Sequence, residues 1–244
     1  MIWIIGGTSE ARELIDRLGD FDNYIVTVAT EAGIEFINTD RLYVGRLNKH
    51  QMFDFVKKHN IHMIVDLSHP YAKIVSENAK QVSEELGIKY IRYIRKKVEL
   101  EDGEIYLHSY EECYEYIANL SGTILFTTGS KNIEDFEKVK GNNRFIYRVL
   151  PALESIEICK DNNIHMGDII AILGPFSKEF NKIMLSTYKV DYCVMKDSGE
   201  EGGTLEKIQA CKELGVKPII IGRKDEEGIT DLDEIEKIIK GESR

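Results

Sequence analysis

Short apolar segments alternate with longer amphipathic segments along most of the chain, and this alternation limits its fold more than any other feature. In the first half, β-branched and aromatic side chains typical of strands are concentrated in residues 2–5, 24–29, 42–44, 63–66 and 89–93. Between these segments, apolar residues at a spacing of three and four predict helices over 8–18, 49–59 and 72–86. Strands joined by crossover helices form parallel sheets, so we predict an α/β fold that is doubly wound.

The alternation stops at residues 94–109, where a basic cluster is followed by acidic residues and the turn Asp102-Gly103. It resumes with predicted strands at 123–127, 145–149, 168–173, 192–195 and 218–221, and with helices near 111–120, 133–138, 177–186, 205–214 and 232–240. We therefore predict two domains, residues 1–97 and residues 98–244, each with a doubly wound parallel sheet. The expected ligand site is a cleft between them, at the carboxyl ends of the strands.

Charge and composition exclude several classes of function. The net charge of −10 at pH 7 argues against binding to nucleic acid or to anionic membranes. The longest apolar runs have strand length and the N-terminus lacks signal-peptide features, so we expect a cytoplasmic protein. The four cysteines (Cys113, Cys159, Cys193 and Cys211) include no C-x-x-C pair, which favours free thiols over disulfides or a metal site.

The opening segment IIGGTSEAREL combines a strand, a tight turn and the start of a helix. A turn of this kind presents backbone N–H groups to a phosphate. Counting from Gly6, however, Thr8 and Ala11 stand where the dinucleotide motif G-x-G-x-x-G has its second and third glycines. The turn Gly6-Gly7-Thr8-Ser9 is therefore either a variant phosphate site or only a tight connection.

The other predicted strands end in small, hydroxyl-bearing or charged residues, which is where ligands bind in open α/β sheets. These residues include Ser68-His69-Pro70, Thr128-Gly129-Ser130-Lys131, Gly174-Pro175-Phe176-Ser177 and the segment from Lys196 to Thr204. Each also has a plain structural explanation, since glycine and serine form turns and a threonine caps helices. The P-loop motif is absent. Tyr93 and Lys97 match the Y-x-x-x-K pair of short-chain dehydrogenases but leave a strand instead of lying on one helix.

Taken together, these segments resemble the precorrin-6A reductase and cobalt-precorrin-6A reductase family of cobalamin biosynthesis. The resemblance rests on GGTSEAREL, VDLSHPYA, TTGSK, GPFS and KDSGEEGGTLEKIQACKELGVKPIIIGR, which run in family order from Ile4 to Arg223. It implies an oxidoreductase that uses NADH or NADPH to reduce one double bond of the macrocycle in (cobalt-)precorrin-6A, giving (cobalt-)precorrin-6B. It also implies two Rossmann-like domains with cofactor and macrocycle in the cleft.

Under this hypothesis the N-terminal domain lies on the cofactor side, and the C-terminal domain contacts substrate and cofactor. The expected cofactor-binding residues are Gly6, Gly7, Thr8, Ser9, Thr30, Glu31 and Ser68. The expected substrate-binding residues are Thr128, Gly129, Ser130, Lys131, Lys196, Ser198, Gly199 and Gly203. His69 is the candidate for orienting the macrocycle or donating the proton, with Asp197 and Tyr71 as alternatives, and no metal is expected.

Glu31 favours NADH over NADPH. It follows the second predicted strand, 24 residues after Gly7, where an acidic residue binds the adenosine ribose and repels a 2′-phosphate. No lysine or arginine occurs between Arg17 and Arg41. Alternatively, Glu31 is only an exposed loop carboxylate.

Two other functions remain open at this point. One is a non-catalytic module that binds a nucleotide or tetrapyrrole, and the other is a short-chain-type dehydrogenase or epimerase. We expect a monomer or small homo-oligomer with a small-molecule tetrapyrrole as its partner.

Overall fold

The protein consists of two compact units. Its computed structural model describes residues 1–29, 37, 39–96, 103–199, 202–223 and 226–241. The first unit consists of Met1–Arg95 and Asp225–Arg244, and the second of Lys96–Lys224. Each unit contains one parallel sheet with helices packed on it. The predicted fold class is therefore confirmed. No helix in the described ranges is long and apolar enough to cross a membrane.

The first unit contains a five-stranded sheet in the order β3-β2-β1-β4-β5. Its strands are β1 (Ile2–Ile5), β2 (Tyr24–Val28), β3 (Leu42–Val44), β4 (Met63–Asp66) and β5 (Lys89–Arg92). The helices are α1 (Ser9–Leu18), α2 (Lys49–Lys58) and α3 (Lys73–Leu86). The chain moves outward from β1 to β3 and then returns to place β4 on the other side of β1. The switch point of the sheet thus lies between β1 and β4, where ligands bind in folds of this kind.

The second unit contains a six-stranded sheet in the order β6-β11-β10-β7-β8-β9. Its strands are β6 (Ile105–Leu107), β7 (Thr123–Phe126), β8 (Arg144–Val149), β9 (Ile169–Ala171), β10 (Tyr192–Lys196) and β11 (Lys217–Ile221). The helices are α4 (Tyr110–Ile117), α5 (Ile133–Lys138), α6 (Leu153–Asp161), α7 (Lys178–Thr187) and α8 (Thr204–Leu214). The order of the strands reverses between β7 and β10, which is the switch point of this sheet.

The C-terminal segment packs on the first unit, whereas the sequence-based division at residue 97 assigns it to the second. Helix α9 (Leu232–Gly241) buries Leu232, Ile235 and Ile239 in the same apolar cluster as Leu14 and Leu18 of α1. Just before this helix, the backbone N–H of Ile229 donates to Arg92 O at 2.9 Å, next to β5. Both contacts join residues that are far apart in the chain. The local alternation of strands and helices cannot predict such contacts.

In the described part of the chain, strand β6 and helix α6 lie where the sequence indicates no strand or helix. Strand β6 lies within the predicted boundary segment 94–109, and it is only three residues long. Helix α6 buries only Ser155 and Cys159; Ile158 is partly buried, and the apolar residues Leu153 and Ile156 are exposed. Because small residues form its buried face, the helix carries little of the apolar periodicity that the prediction uses.

Candidate functional site

The glycine turn after β1 leads directly into α1. Gly7 has a φ of +100°, and no atom lies within 4 Å of where a Cβ would stand. The Thr8 hydroxyl accepts from Ala11 N at 3.2 Å and donates to Leu67 O at 2.9 Å, which links this turn to the one after β4. The Ser9 hydroxyl donates to Glu10 Oε2 at 2.8 Å. Both hydroxyl protons are thus used inside the protein, and the donors that the turn offers a ligand are the backbone N–H groups at the start of α1.

A buried ion pair lies beside this turn. Glu10 in the first turn of α1 is 3% exposed and pairs with Arg95, whose Nη2 is 3.0 Å from Glu10 Oε2. Burial alone would raise the pKa of Glu10, but the hydrogen bonds and charge of Arg95 hold that pKa below its usual value. Arg95 therefore neutralises the carboxylate that would otherwise repel an anion at the start of α1. The partners are 85 residues apart, so the sequence offers no local signal for the pair.

The turn after β4 holds His69 and Tyr71 together. Ala72 N donates to His69 O at 2.8 Å, so residues His69 to Ala72 form a β-turn with Pro70 in its second position. Tyr71 N donates to His69 Nδ1 at 3.2 Å, and the two rings have centroids 5.8 Å apart. Because Nδ1 accepts this bond, a neutral His69 ring carries its proton on Nε2. Both side chains are partly exposed at the switch point of the sheet.

Beneath this turn lies a buried polar network centred on Arg92 at the end of β5. Arg92 Nη1 donates to Asp66 Oδ1 at 3.0 Å, to Ser68 O at 2.9 Å and to Ser68 Oγ at 3.1 Å. Its Nε lies 3.2 Å from Glu226 Oε2. Asp66 is fully buried and also accepts from the Tyr90 hydroxyl at 2.8 Å. The predicted cofactor residue Ser68 is therefore fixed by hydrogen bonds with Arg92 and with the Asp66 carboxylate.

In the second unit, the loop after β7 contains an unsatisfied buried hydroxyl. Thr128 is 3% exposed, and its Oγ1 has no hydrogen-bond partner among the described residues. The next residue, Gly129, has a φ of +81° and open space where a Cβ would stand. Ser130 Oγ lies 3.4 Å from Ser155 Oγ, and Lys131 is exposed. A buried donor without a partner costs free energy, so this loop has the chemistry of a ligand site.

The loop after β10 is organised by Thr204, the first residue of α8. Its hydroxyl donates to Lys196 O at 3.2 Å and accepts from Ser198 N at 3.1 Å. Gly202 is required in this loop, since a Cβ there would lie 2.2 Å from Ser198 Cβ and 2.8 Å from Ser198 O. The remaining predicted glycines, Gly199 and Gly203, have φ values of +72° and +65°, which glycine adopts most readily.

Lys196 and Asp197 differ in environment although they are adjacent. Burial, followed by the charge of Lys131, lowers the pKa of Lys196 to about 8. The two lysines are thus close enough to repel each other, and together they make a positively charged patch after β7 and β10. Asp197 is 1% exposed, and it accepts from the Tyr106 hydroxyl at 3.3 Å while Arg223 Nε lies 4.0 Å away. These contacts hold Asp197 within the loop.

The described candidates therefore fall into two groups, one at the switch point of each sheet. The first group follows β1 and β4 and consists of Gly6, Gly7, Thr8, Ser9, Ser68, His69 and Tyr71. The second group follows β7 or lies at and after the end of β10, and it consists of Thr128, Gly129, Ser130, Lys131, Lys196, Asp197, Ser198, Gly199 and Gly203. Thr30 and Glu31 lie outside the described residues. The sequence did not reveal which residues hold these candidates in place, because the partners of those residues are distant in the chain. They are Glu10, Arg95, Asp66, Arg92 and Tyr106.

Residues 1–240 match the family model described as Precorrin-6x reductase CbiJ/CobK. The chain belongs to this family. Family membership confirms the predicted resemblance and the predicted enzyme class, an oxidoreductase acting on a CH–CH group, and it implies a nicotinamide cofactor.

Curated reductases are similar to this chain over nearly its whole length. The cobalt-precorrin-6A reductase of Priestia megaterium is 37% identical over 246 residues, covering 98% of this chain and 96% of the relative. That of Salmonella typhimurium is 34% identical over 229 residues, covering 91% and 87%. A solved structure of CobK precorrin-6A reductase matches with a TM-score of 0.80 over 98% of this chain and 96% of that one. At 18% identity, this last similarity concerns the fold alone.

Proposed function

We propose that this protein reduces one double bond of the macrocycle in (cobalt-)precorrin-6A to give (cobalt-)precorrin-6B in cobalamin biosynthesis. The observation that carries the proposal is the family match over residues 1–240, whose curated relatives are named cobalt-precorrin-6A reductase. The geometry supports it, because both groups of candidate residues lie at the switch points where α/β folds bind ligands.

We assign the cofactor to the turns after β1 and β4. A dinucleotide fits this part of the chain, since the backbone at Gly7 is open and lies at the start of α1, where N–H groups face an anion. When bound, the nicotinamide supplies the hydride. Gly6, Gly7, Thr8 and Ser9 shape the turn that holds its phosphate or ribose, and Ser68 borders it, fixed by Arg92.

We propose NADH over NADPH on the sequence alone. Glu31, with Thr30, follows the second strand, where a carboxylate would bind the ribose hydroxyls and repel a 2′-phosphate. Glu31→Arg should shift the preference towards NADPH by about 1–2 kcal/mol, the range of one charged contact. A wild-type enzyme at least tenfold better with NADPH would contradict this assignment.

We assign the carboxylates of the macrocycle to the second unit. Lys131 and Lys196 supply positive charge there, and the unsatisfied Thr128 hydroxyl supplies a neutral donor. Ser130, Ser198, Gly199 and Gly203 complete the loops around them; Ser130 is partly exposed, and the other three are buried. The buried Asp197 carboxylate accepts from the Tyr106 hydroxyl, which fixes its position beside these residues.

We propose His69 as the group that orients the macrocycle or donates the proton. It is partly exposed, and because its Nδ1 accepts the bond from Tyr71 N, the neutral ring carries its proton on Nε2. Tyr71 and Asp197 are the alternatives. His69→Ala should lower turnover and change its pH profile, whereas near-wild-type turnover across the pH range would exclude the histidine.

Anaerobic turnover tests the proposal against its alternatives. Purified protein is incubated with precorrin-6A or its cobalt form and with NADH or NADPH, and oxidation of the nicotinamide is followed by absorbance. We expect oxidation that depends on the tetrapyrrole. Binding of both ligands without oxidation would instead favour a non-catalytic module, and oxidation with unrelated alcohols or sugars would favour a short-chain-type dehydrogenase or epimerase.

We also propose that the enzyme works in the cytoplasm as a monomer or small homo-oligomer. All four cysteines are free and buried, as expected of a protein kept in a reducing compartment. Sedimentation velocity of the purified chain would measure its assembly state. A large assembly would contradict the proposal.

A further inference from the structure

The second unit holds two cations on one side of its sheet, with Lys207 buried and Arg148 partly buried. Arg148 of β8 donates from Nη1 to Asn181 Oδ1 at 2.9 Å, and its guanidinium carbon lies 5.0 Å from the centre of the Phe176 ring. Lys207 of α8 is 6% exposed, and its ammonium donates to Gly202 O at 3.3 Å. Asn181 is itself 4% exposed and is fixed by bonds from its Nδ2 to Phe176 O and Ser177 O. Both cations are therefore held in place by neutral groups.

Neither cation has a carboxylate partner within 4.0 Å in the part of the chain that the structure describes. Burial lowers the pKa of Arg148, and burial together with the charge of Arg148 lowers the pKa of Lys207 to about 8. Glu206 and the thiols Cys193 and Cys211 also act on Lys207, each favouring its charged form. Charged side chains are rarely buried without a counter-ion, because the lost hydration is not replaced.

We propose that Arg148 and Lys207 form a binding site for one oxyanion, a carboxylate or a phosphate group. The planar guanidinium can donate two parallel bonds to such a group, and the ammonium adds a point charge. Phe176 and Asn181 orient the guanidinium before the anion arrives. The anion would replace the weak carbonyl acceptor of Lys207 with a charged one.

Two molecules could supply the oxyanion, and this part of the inference rests on the proposed function. A side-chain carboxylate of the tetrapyrrole is one source, and a phosphate of the nicotinamide nucleotide is the other. The existence of the anion site does not depend on the reaction, so the anion site and the proposed function can be refuted independently.

Titration calorimetry at constant ionic strength tests the site directly, with inorganic phosphate and tricarballylate as probes. We expect the wild-type chain to bind one equivalent of at least one probe, and Arg148→Gln and Lys207→Met to weaken that binding at least tenfold. Lys160→Met, which removes an exposed charge on α6, should change it less than twofold. The site is overturned if the wild type binds neither probe or if both variants bind as the wild type does.

Folding of the variants is checked by circular dichroism and thermal melting. Because Lys207 and Arg148 repel each other, Lys207→Met should keep or raise the melting temperature in a chloride buffer. A large loss of melting temperature in Lys207→Met would show that the lysine serves the fold and would count against the proposal.

Steady-state kinetics identify the source of the oxyanion. If it is a substrate carboxylate, Lys207→Met raises KM for the tetrapyrrole at least tenfold and leaves KM for the nicotinamide unchanged; a cofactor phosphate gives the reverse. Unchanged Michaelis constants despite lost probe binding would mean an adventitious ion only, which overturns the proposal. An enzyme with no turnover of precorrin-6A would refute the proposed function, while the calorimetry would still decide the anion site.

Discussion

Replacing Arg92 by methionine should destabilise the first unit strongly, because this residue neutralises a buried charge. Arg92 is 6% exposed, and Asp66 beneath it is fully buried. The substitution removes the bonds to Asp66 Oδ1, Ser68 O, Ser68 Oγ and Glu226 Oε2 in a single step. What remains is a carboxylate without its counter-ion in the interior of the sheet.

Breaking a buried ion pair by removing one partner costs about 3–5 kcal/mol. Asp66 would keep two donors, the Tyr90 hydroxyl at 2.8 Å and Ser68 N at 2.9 Å, so we expect the lower end, about 3 kcal/mol. The double variant Asp66→Asn/Arg92→Met no longer buries an uncompensated charge. It should recover at least about 1 kcal/mol relative to Arg92→Met alone.

Urea unfolding followed by circular dichroism and tryptophan fluorescence measures these free energies, since Trp3 lies in β1 of the same unit. Arg12→Met is the matched control, because Arg12 forms an exposed pair with Asp16 at 3.8 Å and such pairs contribute about 0–1 kcal/mol. A loss below about 1 kcal/mol for Arg92→Met, or a double variant no more stable than it, would refute the reasoning.

Three further substitutions test the loops. Gly7→Val places a branched side chain at a φ of +100° beside the proposed phosphate. The dissociation constant for the reduced nicotinamide, measured by fluorescence, should therefore rise at least about tenfold. An unchanged constant in a folded variant would exclude this turn as the cofactor site. Because the pKa of Lys196 is lowered to about 8, the lysine is charged below that pH, and the affinity for the tetrapyrrole should fall as pH rises through about 8. Lys131→Met should move this inflection to higher pH, since it removes a repelling charge, and a pH-independent KM between pH 7 and 9 would contradict the assignment. Gly202→Ala should reduce kcat/KM for the tetrapyrrole and destabilise the second unit by about 1–3 kcal/mol, because a Cβ would meet Ser198 O at 2.8 Å; wild-type kinetics and stability would show that the loop adapts.

The alternation of strands and helices was sufficient to predict both sheets, because crossover connections leave a strong local pattern. Helix α6 was not predicted because its buried face consists of Ser155 and Cys159. Strand β6 was not predicted because three residues carry little periodicity. The return of α9 to the first unit depends on contacts with α1, more than 200 residues earlier in the chain. Local patterns do not contain such information.

The candidate site shows the same division between local and distant information. Positions such as Gly7, Ser68 and Lys196 follow strand ends and could be identified from spacing. What each side chain does there depends on its partners: the Thr8 hydroxyl caps α1 and bonds to Leu67, so it is not free to donate to a phosphate. Arg92 reaches Glu226 across 134 residues, a pairing that becomes visible only in the folded chain.

Transfer of deuterium from a labelled nicotinamide tests the central claim most directly. The purified protein is incubated anaerobically with precorrin-6A and with reduced nicotinamide carrying deuterium at C4 on either face, and the product is analysed by mass spectrometry. We predict a reduced macrocycle that contains a single deuterium from one face of the nicotinamide only, since the cofactor supplies the hydride and solvent supplies the proton. A reduced product without deuterium from either face, or no reduced product at all, would contradict the account.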